Sequence, residues 1–298
     1  MKASKDKPKM QKYTVNDFRQ QFPDDDACLE WLKDYLYPDG IFCNTCQAVT
    51  RHHKVASRKS YSCQTCGHHV HPTAGTIYHK SSTPLTDWFY AVYLMASTRC
   101  GISAKQLERE LGVTYKTAWR MFQQIRSMLD ESDNKLTGVV EVDETYIGPR
   151  MVKGSKRGRG ASSKSVVVGA VERKGSVIAK VAKDVSGATL IPFVQDHVEP
   201  SSMVHTDEWH PYKQLPKHGY GHQRSHHSAK AWVIGDSHTN SIEGFWSLLK
   251  GGIRGVYKHA SRKYLQNYVN EYAFRYNRRN DTNPMFLSFL GQVQKSSD

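Results

Sequence analysis

The spacing of hydrophobic residues divides the 298-residue chain into a helical middle part and a C-terminal part of mixed strands and helices. Between residues 85 and 129, apolar positions recur three and four residues apart, which predicts buried helices. Gly112 interrupts this pattern and Thr114 can cap the helix that follows, as is typical of a helix-turn-helix. Lys116 and Arg120 would then face DNA, whereas a plain helical hairpin is the alternative interpretation.

Short apolar runs bounded by turn residues begin near residue 137. Strands are predicted at 138–148, 165–173, 176–185 and 201–207, with a helix at 186–198 between the last two. Further helices follow toward the C-terminus. This order favours a mixed α/β layer over a regular βαβ repeat.

The stretch HTNSIEGFWSLLKGG, residues 238–252, predicts a helix with one apolar side, formed by Ile242, Phe245, Trp246 and Leu249. Glu243 and Lys250 are two helical turns apart and therefore point the same way. This arrangement is compatible with a solvated face carrying a loose ion pair. It is equally compatible with a site that holds a cation beside a phosphate.

Four cysteines form two Cys-x2-Cys pairs separated by sixteen residues, at Cys43, Cys46, Cys63 and Cys66. This spacing predicts a closed tetrahedral Zn2+ site in a zinc ribbon. Such a small unit has too little core to fold alone, so metal binding supplies its folding energy. Three nearby histidines are expected to be surface residues rather than ligands: His68, His69 and His71.

Lysine and arginine outnumber aspartate and glutamate by 42 to 28, which gives a formal net charge of +14. A charge of this size favours a polyanionic partner, most often nucleic acid. The longest apolar run, residues 88–96, is far shorter than the ~20 residues of a membrane helix. Because no secretory signal is visible, we expect a cytoplasmic protein whose paired cysteines bind metal rather than form disulfides.

Three acidic residues occupy positions where α/β folds collect ligands, namely Asp143, Asp207 and Glu243. Carboxylates on neighbouring strand ends and an adjacent helix can hold two Mg2+ ions, with Mn2+ as an alternative. Each carboxylate by itself could instead be a surface charge. Strand alternation puts Glu141 and Asp143 on one side and Glu144 on the other, so spacing cannot choose between the first two.

Two further segments have candidate roles in binding DNA. The glycine-rich run at 148–164 is interpreted as a loop that grips a phosphate backbone, or else as a solvated charge run; its basic residues include Lys156, Arg157 and Arg159. The histidines between residues 205 and 238 lack familiar zinc spacing. We expect them near the DNA, with His238 as the best candidate because it precedes the predicted helix.

The motifs VVEVDETYIG, VHTDEWHPY and the segment from His238 to Arg279 resemble the transposases of bacterial insertion sequences in the ISXO-type family. The resemblance extends over nearly the whole chain. It implies an RNase H-like α/β catalytic domain, preceded by a zinc ribbon and a helix-turn-helix-like domain. It also implies a catalytic triad of Asp143, Asp207 and Glu243, with Lys250 meeting the DNA strand. Since relatives carry asparagine or glutamate as the third member, Asn240 stays open as an alternative.

We accordingly expect four segments: a helical lead-in at 1–38, a zinc ribbon at 39–78, a helical DNA-binding domain at 79–135 and a catalytic domain at 136–298. The expected activity is binding of the element's inverted ends, Mg2+-dependent strand cleavage and strand transfer into target DNA. The alternatives are a zinc-ribbon regulator without catalysis and a nuclease without strand transfer.

Double-stranded DNA is the expected partner. Its expected contacts are Lys116, Arg120, Lys156, Arg157, Arg159, Lys250 and Arg254. Because a transposase pairs two element ends, we also expect a homodimer or a larger assembly on DNA.

Overall fold

A computed structural model describes residues 10–131, 134–148, 164–207, 209–224 and 239–294. The chain forms two compact units, one comprising Met1–Met128 with Asp281–Asp298 and the other Leu129–Asn280. This division differs from the boundaries expected from the sequence, which placed the C-terminal residues in the catalytic domain. In the described part of the chain, no helix has the length and apolar character needed to span a lipid bilayer.

The α-helices are α1 (Val15–Gln21), α2 (Asp25–Leu36), α3 (Leu85–Ser97), α4 (Ala104–Leu111), α5 (Tyr115–Ser127), α6 (Gly187–His197), α7 (Asn240–Gly252), α8 (Leu265–Asn277) and α9 (Met285–Leu290). The strands are β1 (Phe42–Cys43), β2 (Ala48–Val49), β3 (His52–Lys54), β4 (Tyr61–Cys63), β5 (His69–Val70), β6 (Val139–Ile147), β7 (Ser165–Glu172), β8 (Val177–Ala182), β9 (Met203–Thr206) and β10 (Gly221–Arg224).

Aromatic packing holds the first unit together. Helix α1 begins at a capping box in which the Thr14 hydroxyl accepts the backbone N–H of Asp17. Its buried Phe18 ring lies 5.4 Å from the ring of Tyr93 on α3 and 5.8 Å from that of Phe286 on α9, measured between centroids. These contacts explain why the C-terminal helix belongs to the N-terminal unit.

Helices α4 and α5 form the predicted pair joined by a tight turn. Gly112 ends α4 with φ of 66°, a left-handed conformation that glycine adopts without a Cβ clash. The Thr114 hydroxyl then accepts the backbone N–H of Thr117 at 3.2 Å and starts α5. The predicted cap and glycine turn are therefore confirmed.

The second unit is built on a five-stranded sheet with the order β10-β9-β6-β7-β8. Strands β10, β9 and β6 pair in parallel, whereas β7 pairs antiparallel with β6 and β8. Helix α6 covers one face, over a core that includes Val142 and Val168. Helices α7 and α8 cover the other face, over Val167 and Val171. The mixed-sheet, RNase H-like class is thus confirmed.

Strand β10 was not predicted from the sequence. It consists of Gly-His-Gln-Arg at the edge of the sheet and pairs only with β9 among the described strands. An edge strand with no fully buried residue has no alternation of apolar and polar positions to reveal it. It is formed instead by ladder hydrogen bonding to β9, the strand that precedes it in the chain.

Candidate active site and metal centre

The four cysteines converge in the zinc ribbon. Their sulfur atoms all lie within 4.8 Å of one another, with 3.5 Å between Cys43 and Cys66 and 3.8 Å between Cys46 and Cys63. Four sulfurs bound at ~2.3 Å to a tetrahedral Zn2+ would be about 3.8 Å apart. The cluster therefore has the dimensions of a structural zinc site, as the spacing predicted.

The surroundings of Cys63 favour metal binding. The Thr50 hydroxyl lies 3.2 Å from the Cys63 sulfur. This hydrogen bond, followed by one from the backbone N–H of Cys66, lowers the pKa of the Cys63 thiol to about 5. A lowered pKa favours the thiolate, which is the form that binds zinc. The neighbouring histidines stand outside the cluster, as expected.

Asp143 lies on β6, the central strand of the sheet in the second unit, on the face covered by α7. The indole N–H of Trp246 donates to its Oδ2 at 3.0 Å. Burial, together with the negative charges of Asp207 and Glu243, raises the pKa of Asp143 from 3.8 to about 6. Both carboxylates lie near enough to act on Asp143, so the three groups share one region of the unit.

The other two carboxylates come from elements next to β6. Asp207 directly follows β9, the parallel neighbour of β6, and its Oδ1 accepts the backbone N–H of Trp209 at 2.9 Å. Glu243 lies in the first turn of α7, where its Oε1 accepts the hydroxyl of Thr239 at 3.2 Å. A strand end and a helix start thus bring residues 36 positions apart to the same edge of the sheet.

These carboxylates are more widely spaced than the cysteines. Among the described residues, only the cysteines place three or more ligand atoms within 4.8 Å of one another. Two ions about 4 Å apart, with bonds of about 2.1 Å, can be spanned by oxygens up to about 8 Å apart. Like charges without a cation between them also repel one another. Among the described residues, the cysteines are thus the group gathered closely enough for a single closed metal site.

Glu141 has a different position from Asp143 although both lie on β6. It is 0% exposed, and its Oε2 accepts the backbone N–H groups of Ser241 at 2.8 Å and Ile242 at 3.1 Å. Its Oε1 accepts Nε of Arg173 at 3.0 Å. Because both oxygens are engaged, Glu141 fixes the first turn of α7 to the sheet, and Asp143 is the acidic group of β6 that faces Asp207 and Glu243.

The predicted alternation along β6 is confirmed. Glu141 and Asp143 both contact α7 on one face of the sheet. On the opposite face, Glu144 accepts the hydroxyl of Tyr212 at 3.1 Å.

Gly169 is a residue of the site that was not singled out from the sequence. It pairs with Asp143 in the β6–β7 ladder, and a Cβ atom there would lie 2.6 Å from the Trp246 ring. Glycine leaves room for the indole, whose N–H then reaches Asp143. The signal was a glycine inside an otherwise apolar strand, which often marks close approach of another group.

Helix α7 presents the remaining candidate residues. Asn240 is its first residue and is exposed, so both candidates for the third ligand lie in the first turn. Lys250 lies in the last turn, where burial and the nearby charge of Arg254 lower its pKa. Lys250 and Arg254 are four residues apart and line the same open pocket.

Lys116 and Arg120 are both exposed on α5 of the first unit. The guanidinium of Arg120 lies 5.7 Å from the Trp88 ring centroid and 3.5 Å from the Ser81 hydroxyl. Lys116 is thus the cleaner candidate for a DNA contact, because Arg120 also packs within its own unit.

The remaining predictions concern the basic run and the histidines. Some of the named residues lie outside the described part of the chain, namely Lys156, Arg157, Arg159 and His238. His205 is 2% exposed, and its Nδ1 lies 3.4 Å from the Arg173 guanidinium. His222 lies on β10 with its Nε2 2.9 Å from the Thr206 hydroxyl. Both histidines therefore have partners within the sheet.

The zinc ribbon, the helix-turn-helix and the RNase H-like unit together form the architecture expected from the resemblance to transposases. Residues 135–277 match the family described as the ISXO2-like transposase domain, and residues 23–69 match the transposase zinc-ribbon domain. Both matched domains are transposase domains, as the resemblance of the motifs predicted.

Two relatives and one solved structure illustrate the similarity. The chain is 29% identical over 255 residues to a protein in transposable element ISH50 of Halobacterium salinarum, covering 79% of this chain and 86% of that protein. It is 28% identical over 124 residues to a transposase-like protein of Haemophilus influenzae, covering 42% of this chain and 98% of that protein. Similarity to the Mos1 strand transfer complex is weak, with 11% identity and a TM-score of 0.30. The match covers 64% of this chain and 73% of that chain.

Proposed function

We propose that this transposase binds the ends of its element and performs two phosphodiester transfers at Asp143, Asp207 and Glu243. In the first, water attacks the phosphorus at the element end, and the bond to the 3′ oxygen breaks. A free 3′-hydroxyl and a 5′-phosphate result. In the second, that hydroxyl attacks a target phosphorus and a target 3′ oxygen leaves with a proton. One bond forms and one breaks in each step.

The observation that carries the proposal is the placement of Asp143. Its carboxyl group is partly buried, and the negative charges of two other carboxylates act on it. Clustered negative charge without an internal cation is unfavourable, and Mg2+ prefers carboxylate oxygens together with waters and phosphates. The donor set therefore fits Mg2+ or Mn2+. When bound, such ions polarise the phosphorus, activate the attacking oxygen and stabilise the leaving oxygen.

The side chains around the carboxylates have positioning roles. Trp246 holds one oxygen of Asp143 through its indole N–H, so that the other oxygen can face the ions. Glu141 fixes the helix that carries Glu243. Lys250, two turns further along that helix, is placed to meet the DNA backbone near the reacting phosphate.

Strand cleavage of a duplex carrying the ends of the encoding element, with a supercoiled plasmid as target, tests the proposal. With Mg2+ we expect free 3′-ends and then joined products, and neither with EDTA. Asp143→Asn, Asp207→Asn and Glu243→Gln should each reduce both products by more than about 100-fold, since even outer-shell changes around metals cost 10–100-fold. Duplex binding should remain.

Asp196→Asn is the matched control, because it removes an exposed carboxylate of α6 on the opposite face of the sheet. If Asn240 rather than Glu243 is the third ligand, Asn240→Ala will be the damaging change and Glu243→Gln will be mild. Cleavage without joining would indicate a nuclease. Binding without either product would indicate a regulator and would refute the proposal.

A further inference from the structure

A basic pocket opens beside the carboxylate site, at the end of α7. The space that it bounds is ≈ 460 Å³ when the adjoining open solvent is included. Its described lining includes three basic side chains and one histidine, namely Lys250, Arg254, Lys258 and His259. Residues 146–148, at the end of β6, line it as well. None of the described residues that line the pocket carries a carboxylate.

No described residue that lines this pocket supplies a counterion for its positive charges. Lys250 and Arg254 are like charges four residues apart, which is unfavourable on a helix unless something neutralises them. Burial, Arg254 and Lys164 act to lower the pKa of Lys250, whereas the negative charge of Asp143 acts to raise it. Such a concentration of positive charge fits an anion that comes from outside the chain.

The backbone beneath the pocket has an unusual conformation. Helix α7 continues into a π-helical turn, Ile253–Tyr257, and Lys258 follows with a φ of 61°. π-helical turns are rare and often mark functional sites, and a positive φ is uncommon for lysine. The local sequence alone would be more stable as an ordinary helix end, so the surrounding structure has to hold this turn.

Helix α8 supplies that support. The Tyr257 hydroxyl donates to both carboxylate oxygens of Glu271, at 3.1 and 3.0 Å. Glu271 is fully buried and also accepts the Arg275 guanidinium at 2.8 Å. The Tyr257 ring lies 4.8 Å from the Tyr268 ring. These contacts fix the turn that presents Arg254 and Lys258, so the pocket is preformed.

We propose that this pocket binds a second phosphate of the DNA strand, a short distance along the backbone from the phosphate that reacts. This inference rests on the proposed function, because it makes the pocket an extension of the same DNA path. Glu243 and Lys250 are seven positions apart on the helix. At a rise of ~1.5 Å per residue, they are therefore about 10 Å apart along the helix axis. A phosphate in the pocket therefore belongs to a neighbouring nucleotide.

Phosphate suits the pocket better than a carboxylate ligand. Guanidinium and ammonium groups together supply both a planar fork and a point charge, the combination that phosphate oxygens accept. The pocket is open rather than enclosed, as a continuous polynucleotide chain requires.

The first test measures binding of a fluorescein-labelled duplex carrying the element end, without divalent metal, at several salt concentrations. The double variant Arg254→Gln with Lys258→Gln should bind at least about 10-fold more weakly. The slope of the logarithm of its binding constant against the logarithm of salt concentration should be shallower by about one. That change corresponds to the loss of one neutralised phosphate. Lys217→Gln, on the far face of the sheet, is the matched control and should change neither value. All three proteins should keep the same melting temperature.

The second test places a single neutral methylphosphonate at successive positions of the strand. For the wild type, we expect one position near the cleavage site to weaken binding about 10-fold. The double variant should show no further loss at that position. A separate titration with inorganic phosphate tests whether the pocket is a free-anion site. If the double variant loses phosphate binding but binds the duplex as tightly as the wild type, the proposal is overturned. A double variant that behaves like Lys217→Gln would also overturn it.

The two proposals can fail separately. If the wild type cleaves the element end but the pocket variants match the control, only the pocket proposal fails. If the wild type binds DNA through the pocket but neither cleaves nor joins strands, the proposed function fails.

Discussion

The four ribbon cysteines come from two short knuckles and hold their sulfur atoms within 4.8 Å of one another. The carboxylates of Asp143, Asp207 and Glu243 come instead from a strand, a strand end and a helix, and are spaced more widely. The first cluster is closed by local chain geometry. The second depends on a sheet, a covering helix and the cations that it is proposed to bind.

The zinc site and the proposed carboxylate site make different demands on the chain. A structural zinc site needs four ligands and no open position, so two paired knuckles suffice. A site that binds substrate must leave room for waters and phosphates, so its ligands stand apart and need separate support. Glu141, Trp246 and Gly169 give that support to the carboxylate site.

The largest expected effect follows from loss of zinc. Cys43→Ser should abolish tight zinc binding, and the ribbon should lose its fold, because structural zinc contributes about 10–16 kcal/mol of binding free energy in zinc-finger peptides. The second unit should stay folded, since its cores lack ribbon residues. Metal analysis and hydrogen exchange check both parts. Cys100→Ser, outside the cluster, is the control, and a zinc-free chain with a protected ribbon would contradict the expectation.

Breaking the support of α7 should have the next largest effect. Glu141→Gln leaves the Arg173 charge without its buried partner and weakens the cap on α7. We expect a loss of about 3 kcal/mol in the free energy of unfolding. Strand cleavage should fall as well, because Glu243 loses its fixed position. Denaturant unfolding measures the loss, and Glu144→Gln on the other face of β6 is the control. Equal stability of both variants would contradict this role.

Much of this organisation could be predicted from the sequence, because the signals for it lie within short stretches of the chain. Cysteine spacing revealed the ribbon, Gly112 and Thr114 marked the paired helices, and apolar runs indicated the central strands. Strand alternation correctly separated Glu144 from Asp143. The choice between Glu141 and Asp143 could not be made, because it depends on which backbone groups of α7 approach from about a hundred residues away.

Other features stayed hidden for related reasons. The need for Gly169 appears only when the Trp246 ring is placed over it. Strand β10 has no fully buried residue and forms through its neighbour. The membership of α9 in the first unit depends on long-range aromatic contacts. Local pattern thus identified the elements, whereas the contacts between distant elements determined the site.

The pH dependence of stability should reflect the raised pKa of Asp143. In the metal-free second unit, the pKa of Asp143 is about 6 when folded and near 3.8 when unfolded. The folded state therefore binds more protons between about pH 4 and pH 6, so stability falls as pH rises through that window. The contribution is up to about 3 kcal/mol. Thermal unfolding in EDTA should show a smaller fall for Asp143→Asn, while Asp196→Asn should match the wild type.

The smallest predicted effect concerns α5 in the first unit. Lys116→Ala should weaken DNA binding across sequences and lower its salt slope by about one if the side chain contacts a phosphate. If Lys116 reads a base, discrimination between sequences should fall instead. Arg120→Ala should also reduce stability, because it loses contact with Trp88. Unchanged affinity and discrimination for Lys116→Ala would make α4 and α5 a structural pair only.

The most direct test of the central claim is a Mn2+ titration of the zinc-loaded chain, with free Mn2+ followed by electron paramagnetic resonance. The account predicts saturable binding that rises to about two ions per chain when the element-end duplex is present. Asp143→Asn should weaken this binding at least about 10-fold, whereas Asp196→Asn should leave it unchanged. Absence of saturable binding, or equal binding by the wild type and Asp143→Asn, would contradict the claim that these carboxylates form the metal site.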